Sequence, residues 1–164
     1  MNRVELDAFL AGKNMAGYWA NVRGIVGEAT PTFAPALWKW ADVHAGLTEA
    51  MQCAEVEDAE RLNVSLVNPG GRSRTINMGV QIVPPGARAR RHRHTIAAIR
   101  FVIQGNPNAW TGVEGQPMQA NTGDLILTPN WTWHEHVNES AEPVIWIDGL
   151  EAMFLSNLSL DKRL

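Results

Sequence analysis

The chain has 164 residues, 45% of them hydrophobic and 19% charged, which suffices for one hydrophobic core and excludes a disordered chain or a coiled coil. No apolar run approaches the roughly 20 residues that span a bilayer, and the first residues include acids where a secretory signal would be apolar. With the single cysteine, Cys53, these features lead us to expect a cytoplasmic protein. The net charge is −3, but residues 61–100 carry eight arginines and no acid. Because no nucleic-acid-binding motif accompanies these arginines, we expect a small anionic substrate, or pairing with the acidic flanking segments.

The first third of the chain is predicted to be helical with a loop in the middle. Apolar residues recur at helical spacing from Leu6 to Trp19, and glycines and prolines then interrupt the pattern as far as Pro35. A second helical stretch, rich in Ala and Glu, is predicted from about Leu47 to Leu62. We therefore expect residues 1–62 to form an N-terminal helical arm.

From Asn63 onward the pattern is typical of β-strands. Apolar and polar residues alternate from Ile76 to Ile82, which is the period of a half-buried strand. Further short apolar runs, separated by turn signals, are Ile99–Ile103, Ala109–Val113, Leu125–Leu127 and Val144–Ile147. Such regularly spaced strands indicate an antiparallel sandwich or barrel. We expect this barrel over residues 63–155, followed by a C-terminal tail over residues 156–164.

Four of the five histidines lie in two tight pairs. One pair is His92 and His94, and the other is His134 and His136. Residues i and i+2 of a strand point to the same face, so a pair would aim at one point, and a histidine from another strand would complete a three-nitrogen site. Imidazole is the usual ligand of divalent iron, copper, nickel and zinc. The competing interpretation is a set of core or surface histidines without a metal.

Two longer patterns around these histidines resemble the two motifs of the cupin superfamily. The first runs from Gly86 through His92 and His94 to Gly105, and the second runs from Gly123 through Pro129 and His134 to Asn138. The resemblance implies a mainly β fold, the double-stranded β-helix or jelly-roll barrel, here with an N-terminal helical arm. It also implies that His92, His94 and His134 are metal ligands and that His136 is a neighbour of the metal.

One departure from the general cupin pattern affects the charge of the site. The usual first motif supplies a glutamate shortly after its second histidine, and no carboxylate occurs here in the segment Thr95–Ile99. The site would therefore have three neutral ligands and open coordination positions. This arrangement disfavours a four-coordinate structural zinc.

The surrounding residues resemble the gentisate 1,2-dioxygenase group, which includes salicylate and 1-hydroxy-2-naphthoate dioxygenases. The matching segments include His92–Thr95, Arg100–Ile103, Gly123–Pro129, Trp131–His136 and Trp146–Leu150, with Leu37–Asp42 and Val67–Gly70 upstream. The resemblance implies an Fe(II) enzyme that inserts both atoms of dioxygen into a hydroxylated aromatic acid, and that converts gentisate to maleylpyruvate. It is a resemblance to the N-terminal, metal-binding cupin half of a two-cupin family.

The same resemblance implies roles for five further residues. Arg100 lies where the family grips the substrate carboxylate, and Gln81 lies where it has a substrate-side glutamine. Arg61 is a further candidate for binding substrate charge. His136 would assist proton transfer or hold the geometry around the metal, and Asp148 would orient His136 or a water. For each residue, an ordinary ion pair or polar surface position is the competing interpretation.

The tryptophans and the remaining arginines are expected to be structural. Trp131, Trp133 and Trp146 are predicted in the barrel core and at its rim rather than against a substrate. The arginine cluster is expected to face solvent or acidic neighbours; it comprises Arg88, Arg90, Arg91 and Arg93.

Two functions of different classes remain open. The first is an Fe(II)-dependent ring-cleaving dioxygenase, with an aromatic carboxylate and dioxygen as substrates. The second is a single cupin that binds a metal or an aromatic acid without turnover, since the second cupin of the family lies outside this chain. Acid decarboxylation by a different cupin chemistry is a lesser alternative. An uncovered apolar face would also predict a homo-oligomer, most simply a two-fold dimer.

Overall fold

The computed structural model describes residues 2–11, 35–53, 62–68 and 76–164. The chain divides into two compact units, Met1–Ala34 and Pro35–Leu164. This division does not test the boundaries expected at residues 62 and 155, which stay predictions.

The first unit contains helix α1, Arg3–Ala11. Its first turn is closed by a reciprocal pair of hydrogen bonds, in which the Glu5 backbone N–H donates to Asn2 Oδ1 (3.0 Å) and the Asn2 N–H donates to Glu5 Oε2 (2.8 Å). This is a capping box, which satisfies two backbone donors that the helix itself leaves open. The predicted continuation of the helix to Trp19 lies outside the described residues.

The second unit consists of antiparallel strands with a helix at each end of its described part. Its elements are α2 (Trp40–Cys53), β1 (Leu62–Ser65), β2 (Asn77–Val83), β3 (Arg88–His92), β4 (Ala98–Gln104), β5 (Asn106–Val113), β6 (Gln116–Ala120), β7 (Leu125–Thr128), β8 (His134–Asn138), β9 (Val144–Leu150) and α3 (Ala152–Asn157). The strands form a five-stranded sheet in the order β1-β2-β9-β4-β7 and a four-stranded sheet in the order β3-β8-β5-β6. None of the helices in the described ranges has the length and apolar character needed to cross a membrane.

The main core lies between the two sheets. It is formed by inward side chains of six strands, namely Val83, Val102, Ala109, Ala120, Ile126, Val144 and Trp146. Strand alternation then leaves the polar residues Gln81, Arg100 and Asp148 on the same interior side as this core, at its other end. The barrel therefore has one apolar end and one polar end.

A second core lies where α2 covers the back of the five-stranded sheet. Val43 and Leu47 of α2 pack with Leu62, Val80, Ile82 and Ile145. Two parts of the sequence prediction are wrong here: α2 begins at Trp40 rather than near Leu47, and Leu62 begins β1 rather than ending a helix. The reason is that the buried stripe of the helix already starts at Val43, whereas Leu62 is buried by strand pairing with Ile82.

Glycine is required at two motif positions, at one because of the backbone conformation and at the other because there is no room for a side chain. Gly123 adopts φ +92°, in the left-handed region that favours glycine, in the turn between β6 and β7. Gly105 has a different reason, because a Cβ at this position would overlap the backbone carbonyl of Ala120 on β6. These glycines let the strands turn and approach each other closely.

Candidate metal centre and active site

Three histidines converge at the polar end of the barrel. One ring nitrogen of each of His92, His94 and His134 lies within 4.8 Å of the others. The ring centroid of His134 is 4.2 Å from that of His92 and 4.7 Å from that of His94. His92 and His134 are buried, and His94 is half-buried. This separation allows one divalent metal ion to reach all three nitrogens.

The hydrogen bonds of the three rings indicate the same tautomer for each ring. In every case Nδ1 contacts a backbone carbonyl two residues away: Arg90 O for His92 (2.8 Å), Ile96 O for His94 (2.7 Å) and Thr132 O for His134 (2.9 Å). A carbonyl accepts, so Nδ1 carries the proton and the lone pair is on Nε2. Neutral imidazoles with this tautomer are suited to bind a metal through Nε2.

A β-bulge aims His92 into the barrel. Strand β3 pairs Ala89 with His136 and His92 with His134, so three steps along β3 match two steps along β8. Residues three apart in a regular strand face opposite sides, but Ala89 and His92 are both buried. The extra residue therefore turns His92 toward His134, a common role of bulges near functional sites.

His94 lies just beyond the end of β3, so simple strand alternation does not place it. Its carbonyl accepts the backbone N–H of Trp131 (2.8 Å), and its segment pairs with the C-terminal residues through Thr95 N–H to Lys162 O (3.0 Å). The centroids of His92 and His94 are nevertheless 5.5 Å apart. The two rings thus lie together as predicted, although only His92 belongs to the strand.

A cavity of about 220 Å³ adjoins the three histidines. It is lined by Asn63, Gln81, His92, His94, Arg100, His136, Asp148 and Leu150. Six of the residues predicted from the sequence therefore line one cavity, and His134 adjoins them through its contacts with His92 and His94. Arg61 lies outside the described residues.

A buried ion pair forms one wall of the cavity. Arg100 Nε lies 3.0 Å from Asp148 Oδ1. Arg100 Nη1 donates to Thr128 Oγ1 (2.6 Å), and Asn63 Nδ2 donates to Asp148 Oδ2 (3.3 Å). These contacts hold the guanidinium in one orientation beside the histidines.

Burial and pairing have opposite effects on these two charges. Burial raises the pKa of the Asp148 carboxyl above its ordinary value, while the charge of Arg100 and the hydrogen bond from Asn63 act in the other direction. Burial likewise lowers the pKa of the Arg100 guanidinium, and Asp148 opposes that shift. Each charge therefore offsets part of the desolvation penalty of the other.

Two further polar groups of the cavity wall are buried. His136 Nδ1 lies 3.0 Å from Thr111 Oγ1, and the ring of His136 is 5.0 Å from that of Trp146. Gln81 is 6% exposed, and within the described part of the chain no group hydrogen-bonds to its Nε2. A buried amide donor without a partner is expensive, so this nitrogen is suited to donate to a bound ligand.

Three residues that support the predicted site residues were not predicted from the sequence. Asn63, Thr111 and Thr128 contact Asp148, His136 and Arg100 respectively. Thr111 and Thr128 lie at inward positions of apolar strands, where a hydroxyl needs a hydrogen-bond partner. This pattern was the sequence signal that could have identified them as supporting residues. Nothing in the sequence distinguishes Asn63 from an ordinary polar strand residue.

The arginine cluster is only partly as predicted. Arg88 does pair with an acid, Glu135, at 3.1 Å, and it also lies over the ring of Trp110. Arg91 and Arg93 instead stack on the rings of Trp131 and Trp133. Arg88, Arg90 and Arg91 are exposed to solvent as predicted, whereas Arg93 is half-buried because the rings of Trp131 and Trp133 attract its guanidinium group.

Comparison with known proteins agrees with this geometry. The family model described as Cupin domain matches residues 79–150. The chain is 29% identical to the crystal structure of a salicylate 1,2-dioxygenase from Pseudaminobacter salicylatoxidans, with a TM-score of 0.84, and the match covers 99% of this chain and 49% of that one. This confirms the predicted cupin fold, a mainly β barrel with a helix near the N-terminus.

Two curated relatives are similar along most of the chain. The 1-hydroxy-2-naphthoate 1,2-dioxygenase of Nocardioides sp. (strain KP7) is 35% identical over 165 residues, which cover 93% of this chain and 43% of the relative. A gentisate 1,2-dioxygenase of Aquipseudomonas alcaligenes is 37% identical over 155 residues, which cover 91% of this chain and 44% of the relative. The chain thus spans a little under half the length of the relatives it matches.

Proposed function

The chain belongs to the cupin superfamily and, within it, to the gentisate 1,2-dioxygenase family, and from that premise we propose that it is an Fe(II)-dependent dioxygenase that cleaves the ring of a hydroxylated aromatic acid. The observation that carries the proposal is the convergence of His92, His94 and His134 beside a cavity walled by Arg100. Gentisate and dioxygen would combine to maleylpyruvate, which retains every atom of both reactants.

We propose that Fe(II) binds the three histidines through Nε2. The donor set fits this ion, because three neutral imidazoles with Nδ1 bonded to carbonyls present three nitrogen lone pairs and no negative charge. Bound Fe(II) would supply chelation of the substrate oxygens and activation of dioxygen. The remaining tasks fall to the side chains of the cavity.

Arg100 is proposed to bind the substrate carboxylate. It is 4% exposed, and Asp148 and Thr128 hold its guanidinium in place, so it presents a fixed cation in a low-dielectric wall. Gln81 Nε2 would donate to a second substrate oxygen, since it is a buried donor in the same cavity. Arg61 remains proposed as a further group for substrate charge.

His136 is proposed to accept the proton of the substrate hydroxyl that lies next to the carboxylate. Its Nδ1 is engaged by Thr111 Oγ1, and its ring lines the cavity 5.9 Å from that of His134. The imidazole therefore lies where it could exchange a proton with a substrate bound in the cavity. Asp148, expected from the sequence to orient His136 or a water, is instead proposed to act by orienting Arg100, whose Nε lies 3.0 Å from Asp148 Oδ1.

The volume of the cavity, about 220 Å³, is suited to a small aromatic acid. A cytoplasmic location is part of the proposal, because a single cysteine suits a reducing compartment.

The test is oxygen uptake by protein loaded anaerobically with Fe(II). Gentisate, salicylate and 1-hydroxy-2-naphthoate are compared in parallel, and ring opening is followed by absorbance. Oxygen consumption matched mole for mole by ring opening supports the proposal, and it should disappear in His94→Ala but persist in His44→Ala, since His44 lies exposed on α2.

The alternative is a cupin that binds the metal or the aromatic acid without turnover. It is retained as a second candidate because the relatives whose names give a ring-cleaving activity are matched by this chain over a little under half of their length. Full iron loading and tight gentisate binding without oxygen uptake would establish this second function.

The apolar side chains exposed on β4 and β7 support the proposal of a homo-oligomer, most simply a dimer; they are Ile99, Phe101, Leu125 and Leu127.

A further inference from the structure

Arg93 separates two of the proposed metal ligands, and its side chain lies on the outside of the barrel between two tryptophans. The Arg93 guanidinium carbon is 4.6 Å from the ring centroid of Trp131 and 4.7 Å from that of Trp133. Both distances are well within the range of a cation–π contact. Arg93 therefore contacts two aromatic faces at once.

These two tryptophans belong to the segment that leads into the third ligand. Trp133 directly precedes His134, and the backbone N–H of Trp131 donates to His94 O (2.8 Å). Arg93 thus joins the segment of His92 and His94 to the segment of His134 on the outer surface, while the rings of the three histidines meet on the inner side. Arg93 and the two tryptophans therefore connect the two segments that carry the three histidines.

Within the described ranges, Arg93 contacts two rings, whereas Arg91 lies over Trp133 alone and Arg88 over Trp110 alone. The Arg93 Nε is buried, and among the residues that the structure describes no hydrogen-bond acceptor reaches that atom. Arg88, by contrast, pairs with Glu135 at 3.1 Å and is exposed. The Arg93 side chain is therefore held by the aromatic faces, which makes its position depend on both tryptophans.

We propose that Arg93 is a positioning residue of the metal centre. Its guanidinium, held between Trp131 and Trp133, ties the two ligand-bearing segments together and keeps His94 and His134 at metal-binding distance. The inference rests on the proposed metal site. Partners of metal ligands commonly change metal affinity by about 10–100-fold when removed, and we expect an effect in that range for Arg93.

The test measures Co(II) binding by the full chain, with the visible ligand-field spectrum as the readout. Arg93→Met is compared with Arg90→Met, which removes the same charge from an exposed position of β3. We expect Arg93→Met to weaken Co(II) binding about 10- to 100-fold and to change the spectrum, and Arg90→Met to change affinity less than about threefold. Removal of a positive charge by itself would strengthen cation binding, so a loss in Arg93→Met cannot come from charge.

Two gentler variants keep the test decisive if Arg93→Met does not fold. Arg93→Lys retains the charge and Trp131→Phe retains a ring, and a double-mutant cycle in Co(II) affinity measures their coupling. Losses of Co(II) affinity that are not additive support the proposal. Where Arg93→Met folds, the spectra of the two gentler variants should also lie between those of the wild type and of Arg93→Met. Additive losses, or equal affinities for wild type and Arg93→Met, overturn it. Failure of the wild-type chain to bind Co(II) overturns the proposed metal site, and this inference with it.

Discussion

Arg100 and Asp148 face each other on the adjacent strands β4 and β9 and form an ion pair inside the barrel, with Arg100 Nε 3.0 Å from Asp148 Oδ1. Neither side chain is more than 5% exposed. Desolvation acts against both charges, and each charge is tolerated because the other is present. The pair therefore connects the stability of the barrel to the proposed binding of a substrate carboxylate by Arg100.

Replacement of Asp148 by Asn is expected to lower the free energy of unfolding by about 3–5 kcal/mol, because it leaves the Arg100 charge buried without its counter-ion. Urea unfolding at neutral pH, followed by tryptophan fluorescence, measures the loss. Glu49→Gln is the matched control, since Glu49 is an exposed acid on α2 and its removal should change stability by less than about 0.5 kcal/mol. Equal stabilities of Asp148→Asn and Glu49→Gln would show that the pair is not formed as described.

The double variant Arg100→Met, Asp148→Leu is expected to recover most of the stability lost in Asp148→Asn, because a buried ion pair can be replaced by apolar residues at little loss. It should not recover gentisate binding, since the proposed carboxylate-binding cation is gone. Anaerobic calorimetry of the Fe(II)-loaded protein measures that binding. Tight gentisate binding by the double variant would remove Arg100 from the substrate site.

His94→Ala is expected to abolish stoichiometric Fe(II) binding, because two imidazoles remain where three converge. Equilibrium dialysis with metal analysis measures the iron content per chain. His44→Ala removes an exposed histidine on α2 and should bind one Fe(II) like the wild type. A His94→Ala protein that still holds one Fe(II) with unchanged affinity would contradict the ligand assignment.

Thr111→Val and Thr128→Val are expected to affect different kinetic constants. Thr111 contacts His136, so its loss should lower kcat about tenfold at unchanged Fe(II) affinity, because the proton acceptor is less well oriented. Thr128 contacts Arg100, so its loss should mainly raise KM. Steady-state oxygen uptake separates the two constants, and identical effects of the two variants would contradict the separate roles.

Gly105→Ala and Gly46→Ala are expected to change stability in opposite directions. A Cβ at Gly105 would overlap the carbonyl of Ala120, so this substitution should destabilise the barrel by about 2 kcal/mol or more. Gly46 lies within α2 with no atom near the added methyl group, and alanine there should stabilise the helix by about 0.5–1 kcal/mol. Thermal unfolding of the two variants checks both signs.

The sequence by itself determined the class of the fold and the chemistry of the site. Alternation from Ile76 to Ile82 and the later apolar runs correspond to strands, because burial of one face imposes a period of two residues. The strands β3, β6 and β8 are not visible as apolar runs, since they carry arginines, glutamines or histidines and are identified only by their pairing. The paired histidines indicated a metal site because few other roles bring four imidazoles so close together.

Only the tertiary structure decided how these residues meet. The bulge that turns His92 toward His134 depends on the register between β3 and β8, which no local pattern encodes. The placement of Asn63 against Asp148 joins positions 85 residues apart. Likewise, Arg93 is an unremarkable cation in the sequence and becomes a link between ligand segments only because Trp131 and Trp133 lie across from it. Residue types and their local periods define what chemistry is available, whereas strand register and long-range packing define which atoms reach one another.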